Sequence, residues 1–458
     1  MKRRNRSMLE GPLFSGIVSY TVPIILTGIL QLLFNAADLV VVGQFCGSVS
    51  VGAVGATGAV TNLIVNLFIG LSGGAGVAVA HGLGGRQNED VHRTVHTAIP
   101  VAVLGGVLLT AVGTSCSEGL LVMMGTPENV LPLSTVYMKI YFSGMVFTMI
   151  YNFCASILRA AGDTRSPFLF LTIAGVINVL LNLFFVTVLD MNVAGVALAT
   201  VISQAISAAL VVIALMRRTD ACRLSLRKLR IYRQQLGKIV RIGLPAGLQS
   251  AMFSISNVLV QSSINSFGDV FVSGNAAAGN LEGFVYVSMN AFHQTAVNYI
   301  GQNIGAKQYK RAKSVLWTCL GSVSIMAAVM CTAMILFSRE LLGIYITDSR
   351  QAIEYGVIRL YYVCGPYILC GLMDVTTGAL RGMGAAVTPM LISILGVCGI
   401  RLAWIYTIFQ IPAYHTPEVL YLSYTVSWLL TFAAQLTAFM IVYRKHIDRI
   451  HRVTLPPR

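Results

Sequence analysis

A carboxylate lies in the stretch FNAADLVVVG, Phe34 to Gly43, near the end of one of the longest apolar runs in the chain. An acid placed in hydrocarbon is costly unless it is partnered or protonated, so Asp38 is a functional candidate on chemistry alone. Three more polar side chains can join it. Asn178 and Asn182 are spaced i and i+4, on one face of a helix, and Thr200 lies in the following apolar run. At a rise of ~1.5 Å per residue all four reach one depth of a bilayer, in its outer half if the N-terminus is inside. Desolvation and nearby amide or hydroxyl donors act on the proton affinity of Asp38 in opposite senses, leaving a group able to load and release H+. A sodium ion would instead use several oxygens, from Asp38, the two amide carbonyls, Thr200 and backbone. The alternative is a neutral Asp38 tied permanently to an asparagine as interhelical glue.

A second set of charges falls in apolar runs of the later half: Glu282, Asp374 and Arg401. By residue count Glu282 and Arg401 sit near mid-membrane and Asp374 nearer one end. Their spacing allows a buried Arg401 to Glu282 ion pair, with Asp374 as the competing partner; pairing and binding of substrate or cation both stay open. Asn35 and Asn257, together with Tyr286 and Met289, are further candidates for contact with substrate. Flexible thioethers and ring faces, also supplied by Tyr141, Met145, Tyr151, Met252, Phe253 and Phe292, suit lipophilic cations, and equally suit ordinary helix packing. His293 reads as a hydrogen-bonded interior histidine.

The elements that carry these residues must be membrane helices. Of 458 residues 56% are hydrophobic and 11% charged, and the mean hydropathy is +0.75, where a soluble chain has about 25% charged residues. The basic start MKRRNRSM is followed by an apolar segment too long for a signal peptide, so that segment is expected to stay as a span. Runs of about 20 apolar residues give twelve candidate spans: 13 to 43, 51 to 80, 94 to 115, 130 to 157, 168 to 189, 193 to 216, 239 to 265, 271 to 300, 314 to 337, 355 to 379, 388 to 410 and 419 to 443. With the N-terminus inside, 27 of the 32 Lys and Arg fall on the cytoplasmic side, and the positive-inside rule then places both termini there, in a multi-pass protein of the inner (plasma) membrane. The same bias explains the net charge of +15 without nucleic acid. The basic stretch Arg217 to Lys238 reads as a solvated linker touching anionic lipid headgroups. Nine scattered cysteines with no CxxC pair read as buried small hydrophobes rather than as a metal site or disulfide framework.

The chain is also duplicated. A shift of 222 residues lays SGIVSYTVP (Ser15 to Pro23) on GKIVRIGLP (Gly237 to Pro245), Asn35 on Asn257, and LRAAGDTRSP (Leu158 to Pro167) on LRGMGAAVTP (Leu380 to Pro389). HGLGGRQ, from His81, and QNIGAKQ, ending at Gln308, echo each other with a shift of one residue. Three echoes in one order argue for a repeat of six spans. An even number keeps both halves in the same orientation, so the expected fold is all-α: two six-helix repeats related by a pseudo-two-fold along the membrane normal, with 1–216 as N-lobe, 217–238 as linker and 239–458 as C-lobe. The LRxxGxxxxP elements read as helix corners shaped by glycine and proline. The second half does not copy the first half's polar set: Val260 answers Asp38, and Arg401 answers Val179.

Together, the twelve spans in two repeats, the IVxxxxP openings of spans one and seven, FNAADLVVVG, IGQNIGAKQ and the paired LRxxGxxxxP corners resemble the multidrug and toxic compound extrusion (MATE) family of secondary transporters over nearly the whole chain. The resemblance implies a V-shaped pair of lobes exchanging H+ or Na+ for organic, often cationic, compounds. It also implies a cation site: Asp38, Asn178, Asn182 and Thr200 match positions where some members carry an Asp in span one, an Asn and an Asp four apart in span five, and a Thr in span six. Asn182 departs from that pattern, and one carboxylate in place of two favours H+ over Na+. Another branch has a glutamate in span seven, which this chain lacks.

The expected function is therefore ion-coupled efflux of small amphipathic compounds by alternating access, by a monomer needing no cofactor. A lipid-linked precursor flippase of the same superfamily is the alternative, disfavoured by twelve spans and a single mid-span arginine. Absence of GxxxxGK[ST] and HExxH disfavours an ATP-driven pump or a zinc hydrolase.

Overall fold

The computed structural model describes residues 8–347 and 349–454, and every structural statement concerns these. The chain forms α1 (Leu13–Phe45), α2 (Ser48–Gly84), α3 (Asn88–Met123), the pair α4 (Leu131–Ser143) and α5 (Met145–Ala160), α6 (Arg165–Leu183) and α7 (Asn192–Met216). After the linker come α8 (Arg233–Asn265), α9 (Asp269–Gly305), α10 (Tyr309–Leu336), the short α11 (Ser338–Tyr345), the pair α12 (Arg350–Arg359) and α13 (Tyr367–Gly382), α14 (Val387–Ser393), α15 (Ile400–Tyr406) and α16 (Pro417–Thr454). No strand occurs among the described residues. In lipid this is the expected outcome, because a helix satisfies its own backbone polar groups.

Eight stretches of helix are long and apolar enough to cross a membrane, and α4 with α5 (bent by 48°) and α12 with α13 (bent by 46°) bring the number to ten. These match ten of the twelve spans expected from the sequence. The other two, α8 and α9, have 33 and 37 residues but carry more polar side chains; length alone does not make them apolar spans.

Packing divides the described chain into two compact units, Val22–Ala251 and Met8–Thr21 with the residues from Met252 onward. The division differs from lobes cut at the linker. The first turns of α1 belong to the second unit and its remainder to the first, while α8 belongs to the first up to Ala251 and to the second beyond it. In the second unit Thr21 of α1 hydrogen-bonds Thr295 of α9 at 2.8 Å, and Tyr20 meets Tyr299 edge to face. In the first unit α8 lies backbone to backbone on α2. A side chain added at Gly70 would fall 2.6 Å from the Gly247 Cα, and one at Gly74 would fall 2.3 Å from the Ile239 carbonyl oxygen. Two glycines four apart on each helix permit this approach, the packing device membranes favour because lipid supplies no hydrophobic drive between helices.

The linker is not simply solvated. Cys222 and Leu224 are buried, and the segment docks on α3: the Ser225 N–H donates to His96 Nε2 (3.1 Å), the Tyr232 N–H donates to Thr97 Oγ1 (3.1 Å), and Lys238 pairs with Asp90 (3.0 Å). Seven of the nine cysteines are buried; Cys46 is half-buried and Cys116 exposed.

The repeat signatures are helix corners of one design. Gly162 (φ 89°) and Gly384 (φ 81°) take the left-handed conformation, and the next N–H reaches back five residues, Asp163 to the Leu158 carbonyl and Ala385 to that of Leu380. This is the αL termination that glycine permits. HGLGGRQ and QNIGAKQ make the same turn with Arg86 (φ 53°) and Lys307 (φ 59°) in the left-handed position. Their offset is 221 residues, the one-residue slip seen in the sequence.

Candidate functional site

In the first unit α1 is drawn against α6 at Gly175. A Cβ at this position would meet the Phe34 ring at 1.8 Å, so only a glycine leaves room for the ring. One helical turn further along each helix, Phe34 leads to Asp38 and Gly175 to Asn178, with Asn182 one turn beyond. The close approach at Gly175 thus sets α1 where its carboxylate meets the two amides.

The four polar residues form one hydrogen-bonded chain. The Asn182 side-chain N–H donates to Asp38 Oδ1 at 2.5 Å and to Asn178 Oδ1 at 3.3 Å. The Asn178 N–H donates to Thr200 Oγ1 at 3.4 Å, and that hydroxyl donates back to the Val196 carbonyl at 3.0 Å. Asn178 and Asn182 are buried, while Asp38 and Thr200 are half-buried. The carbonyl oxygen Asn182 Oδ1 is buried with no donor in reach. An orphaned buried acceptor beside a carboxylate is what an incoming proton or cation would satisfy. Tyr137 and Tyr141 of α4, stacked at 6.1 Å between centroids, lie within reach of the Asp38 charge. A π turn, Phe184–Val188, follows Asn182 directly, an irregularity often found beside functional residues. Asn35, one turn before Asp38, is exposed and stands outside the chain of bonds.

The second unit corrects the expected ion pair. Glu282 is bound by Arg359, not Arg401: Nε donates to Oε1 at 2.8 Å and Nη2 to Oε2 at 2.7 Å. The Arg359 Nη1 donates to Asn275 Oδ1, which also accepts from the Tyr421 hydroxyl. The span expected over 355 to 379 leaves Arg359 near its start, but α12 begins earlier, at Arg350. It crosses α9 where a side chain on Gly274 would fall 2.1 Å from the Ala352 carbonyl oxygen, and this crossing brings Arg359 alongside Glu282. The charge pattern alone could have suggested it, since Arg359 is another arginine near an apolar run.

Asp374 is buried, its Oδ2 makes no hydrogen bond, and the charge that acts on it is that of Arg381. Among the described residues it makes no ion pair with Arg401, the partner for which it was expected to compete with Glu282. His293 is the interior histidine expected, donating from Nδ1 to the Asp374 carbonyl (2.7 Å) and accepting from Arg381 at Nε2 (3.4 Å). Met289 is buried against α13 at Gly371. Tyr286 is 42% exposed, and Asn257 is exposed. Arg401 is 4% exposed. It donates from Nε to Ser427 Oγ at 3.1 Å and lies over the Tyr424 and Trp428 rings at 4.1 and 5.6 Å.

Long apolar helices in a twofold repeat, with a lone acid held by amides inside one unit, define a multi-pass membrane transporter. The MatE family model matches residues 23–185 and again 245–407, an offset of 222 at both ends. The chain belongs to the MatE, or multidrug and toxic compound extrusion, family. It is 26% identical over 392 residues to "Probable multidrug resistance protein YoeA" of Bacillus subtilis, covering 83% of this chain and 84% of that protein. It is 21% identical over 385 residues to "Multidrug export protein MepA" of Staphylococcus aureus, covering 84% and 85%. Its fold matches an outward-facing structure of a multidrug resistance MATE transporter with a TM-score of 0.89 at 20% identity, over 98% of this chain and all of the other.

Proposed function

We propose that the protein is a secondary antiporter that expels small organic compounds, cationic or amphipathic, in exchange for H+, with Na+ as the other ion the site could take. The observation that carries this reading is the buried Asn182 Oδ1 beside Asp38. A carboxylate that takes up a proton becomes a donor, and the neighbouring amide holds the acceptor to receive it. A sodium ion would draw on the same oxygens with those of Asn178 and Thr200. Entry of one positive charge down 100 mV supplies about 2.3 kcal/mol, more than the 1.4 kcal/mol per decade needed to concentrate a neutral compound about tenfold. The relatives' names, a multidrug resistance protein and a multidrug export protein, support efflux as the direction. The excess of Lys and Arg at the ends assigned to one face supports cytoplasmic termini in the plasma membrane. The carrier works as a monomer, since each unit holds its polar cluster within itself.

The test is efflux of a fluorescent cation from proteoliposomes under an imposed pH gradient and, separately, a sodium gradient. Asp38→Asn is expected to abolish gradient-driven efflux while leaving the purified protein monodisperse. Undiminished coupled efflux in that variant would remove Asp38 from the mechanism.

A further inference from the structure

The second unit carries three arginines within its apolar helices and only two acids to meet them. Arg359 takes both oxygens of Glu282, and Arg381 lies beside Asp374. Among the described residues no carboxylate comes within 4.0 Å of Arg401, although its side chain is almost wholly buried. A guanidinium cannot lose its charge in a protein and has five N–H donors in a planar fork. Ser427 takes one of them; no described group accepts the rest. The Tyr424 and Trp428 faces steady the cation without accepting a conventional hydrogen bond.

The fold builds this arrangement. A side chain on Gly396 would fall 2.1 Å from Thr431 Oγ1, so the π turn Ile394–Gly399 presses directly on α16. Thr431, Trp428, Ser427 and Tyr424 share one face of α16 by their spacing, and Arg401, just past the π turn, meets that face. In the repeat register Arg401 corresponds to Val179, between Asn178 and Asn182 of the first unit's acid site. Where one copy of the duplicated fold offers a carboxylate to a cation, the other offers a guanidinium.

We propose that Arg401, caged by Tyr424 and Trp428, recognises an anionic group, a carboxylate above all, on a compound that also carries an aromatic face. The proposal rests on the export reading and narrows its substrate class: the exported compounds include zwitterions and organic anions. A carboxylate matches the fork of the guanidinium, and an aromatic body beside it can stack on the two rings. A phosphate of an anionic lipid has related chemistry, so the experiment must separate the two sources.

Equilibrium binding without any gradient makes the comparison. Two dyes with one fluorophore serve as probes: rhodamine B, a zwitterion bearing a carboxylate, and its ethyl ester, a plain cation. In phosphatidylcholine nanodiscs the full-length protein is expected to bind rhodamine B about tenfold more tightly than the ester, which corresponds to about 1.4 kcal/mol. Arg401→Gln should remove that preference by weakening rhodamine B alone, and Arg401→Lys should restore part of it. Equal affinity of the unaltered protein for both dyes overturns the proposal, as does equal weakening of both by Arg401→Gln. Loss of the preference when phosphatidylglycerol is added assigns Arg401 to a lipid phosphate and overturns it as well. The measurement on the unaltered protein needs no variant, so a poorly folding Arg401→Gln leaves it decisive. Binding of neither dye would instead overturn the export reading beneath the proposal.

Discussion

Asn182 turns its amide N–H onto Asp38 and leaves its carbonyl oxygen buried without a donor. The amide is thus half used, and its unused half is the acceptor that a protonated acid or a bound cation requires. Asp38 meets three residues more than 100 positions further along the chain here, through three helices, and each partner narrows what the acid can do.

The identity of residue 182 is expected to select the ion. Asn182→Asp adds a second carboxylate within contact distance of Asp38. A unit charge at ~4 Å is worth about 1 kcal/mol in water and about 4 kcal/mol at an effective dielectric of 20. Sodium affinity should therefore rise at least about fivefold. Comparing sodium-driven with proton-driven efflux in proteoliposomes checks this, and an unchanged ratio would show that residue 182 does not face the ion.

Gly175 is expected to tolerate no side chain while Phe34 is present. Gly175→Ala puts a Cβ 1.8 Å from the Phe34 ring and forces the ring aside, and overpacking of this kind costs roughly 1–3 kcal/mol. Thermal unfolding in detergent and efflux rate should both fall. Adding Phe34→Leu to Gly175→Ala should recover most of the loss, whereas an additive effect would place the strain elsewhere.

Breaking the Glu282 to Arg359 pair should be far worse than replacing it. Glu282→Leu alone leaves Arg359 with no counterion, a change that typically costs about 3–5 kcal/mol. The double replacement Glu282→Leu with Arg359→Met should return most of that stability, as melting curves of the purified protein can show. If the double variant folds well yet transports nothing, the pair takes part in transport rather than only in structure.

The linker should loosen in acid. Burial works against the Asp220 charge, but the Arg218 guanidinium and the Cys222 N–H outweigh it and hold the carboxyl below its ordinary value of 3.8. A carboxyl lowered in this way stabilises the docked linker fully above that ordinary value, and the contribution is lost as pH falls through the lowered one. Protease cleavage within 217–232 should therefore accelerate only at the acid end of a pH series, and Asp220→Asn should remove that acid-induced increase.

Much of the architecture was legible because lipid imposes simple rules. Apolar runs of membrane length, the 222-residue repeat and the glycine corners at Gly162 and Gly384 follow from helix rise, composition and backbone sterics, all local properties. Asp38, Asn178, Asn182 and Thr200 could be grouped because counting residues along α1, α6 and α7 put them at one level, and their hydrogen bonds join them there. The same counting misplaced the partner of Glu282, where bends, π turns and a close glycine crossing decide which side chains meet. Nor could it show α1 and α8 each shared between two packing units, or the linker bound to α3. Composition and internal repetition by themselves determined that the chain is built of long apolar helices and how it repeats; which buried charge faces which partner was decided only by tertiary packing, because electrostatic pairing depends on distances of a few ångströms that residue counts along a bent helix do not preserve.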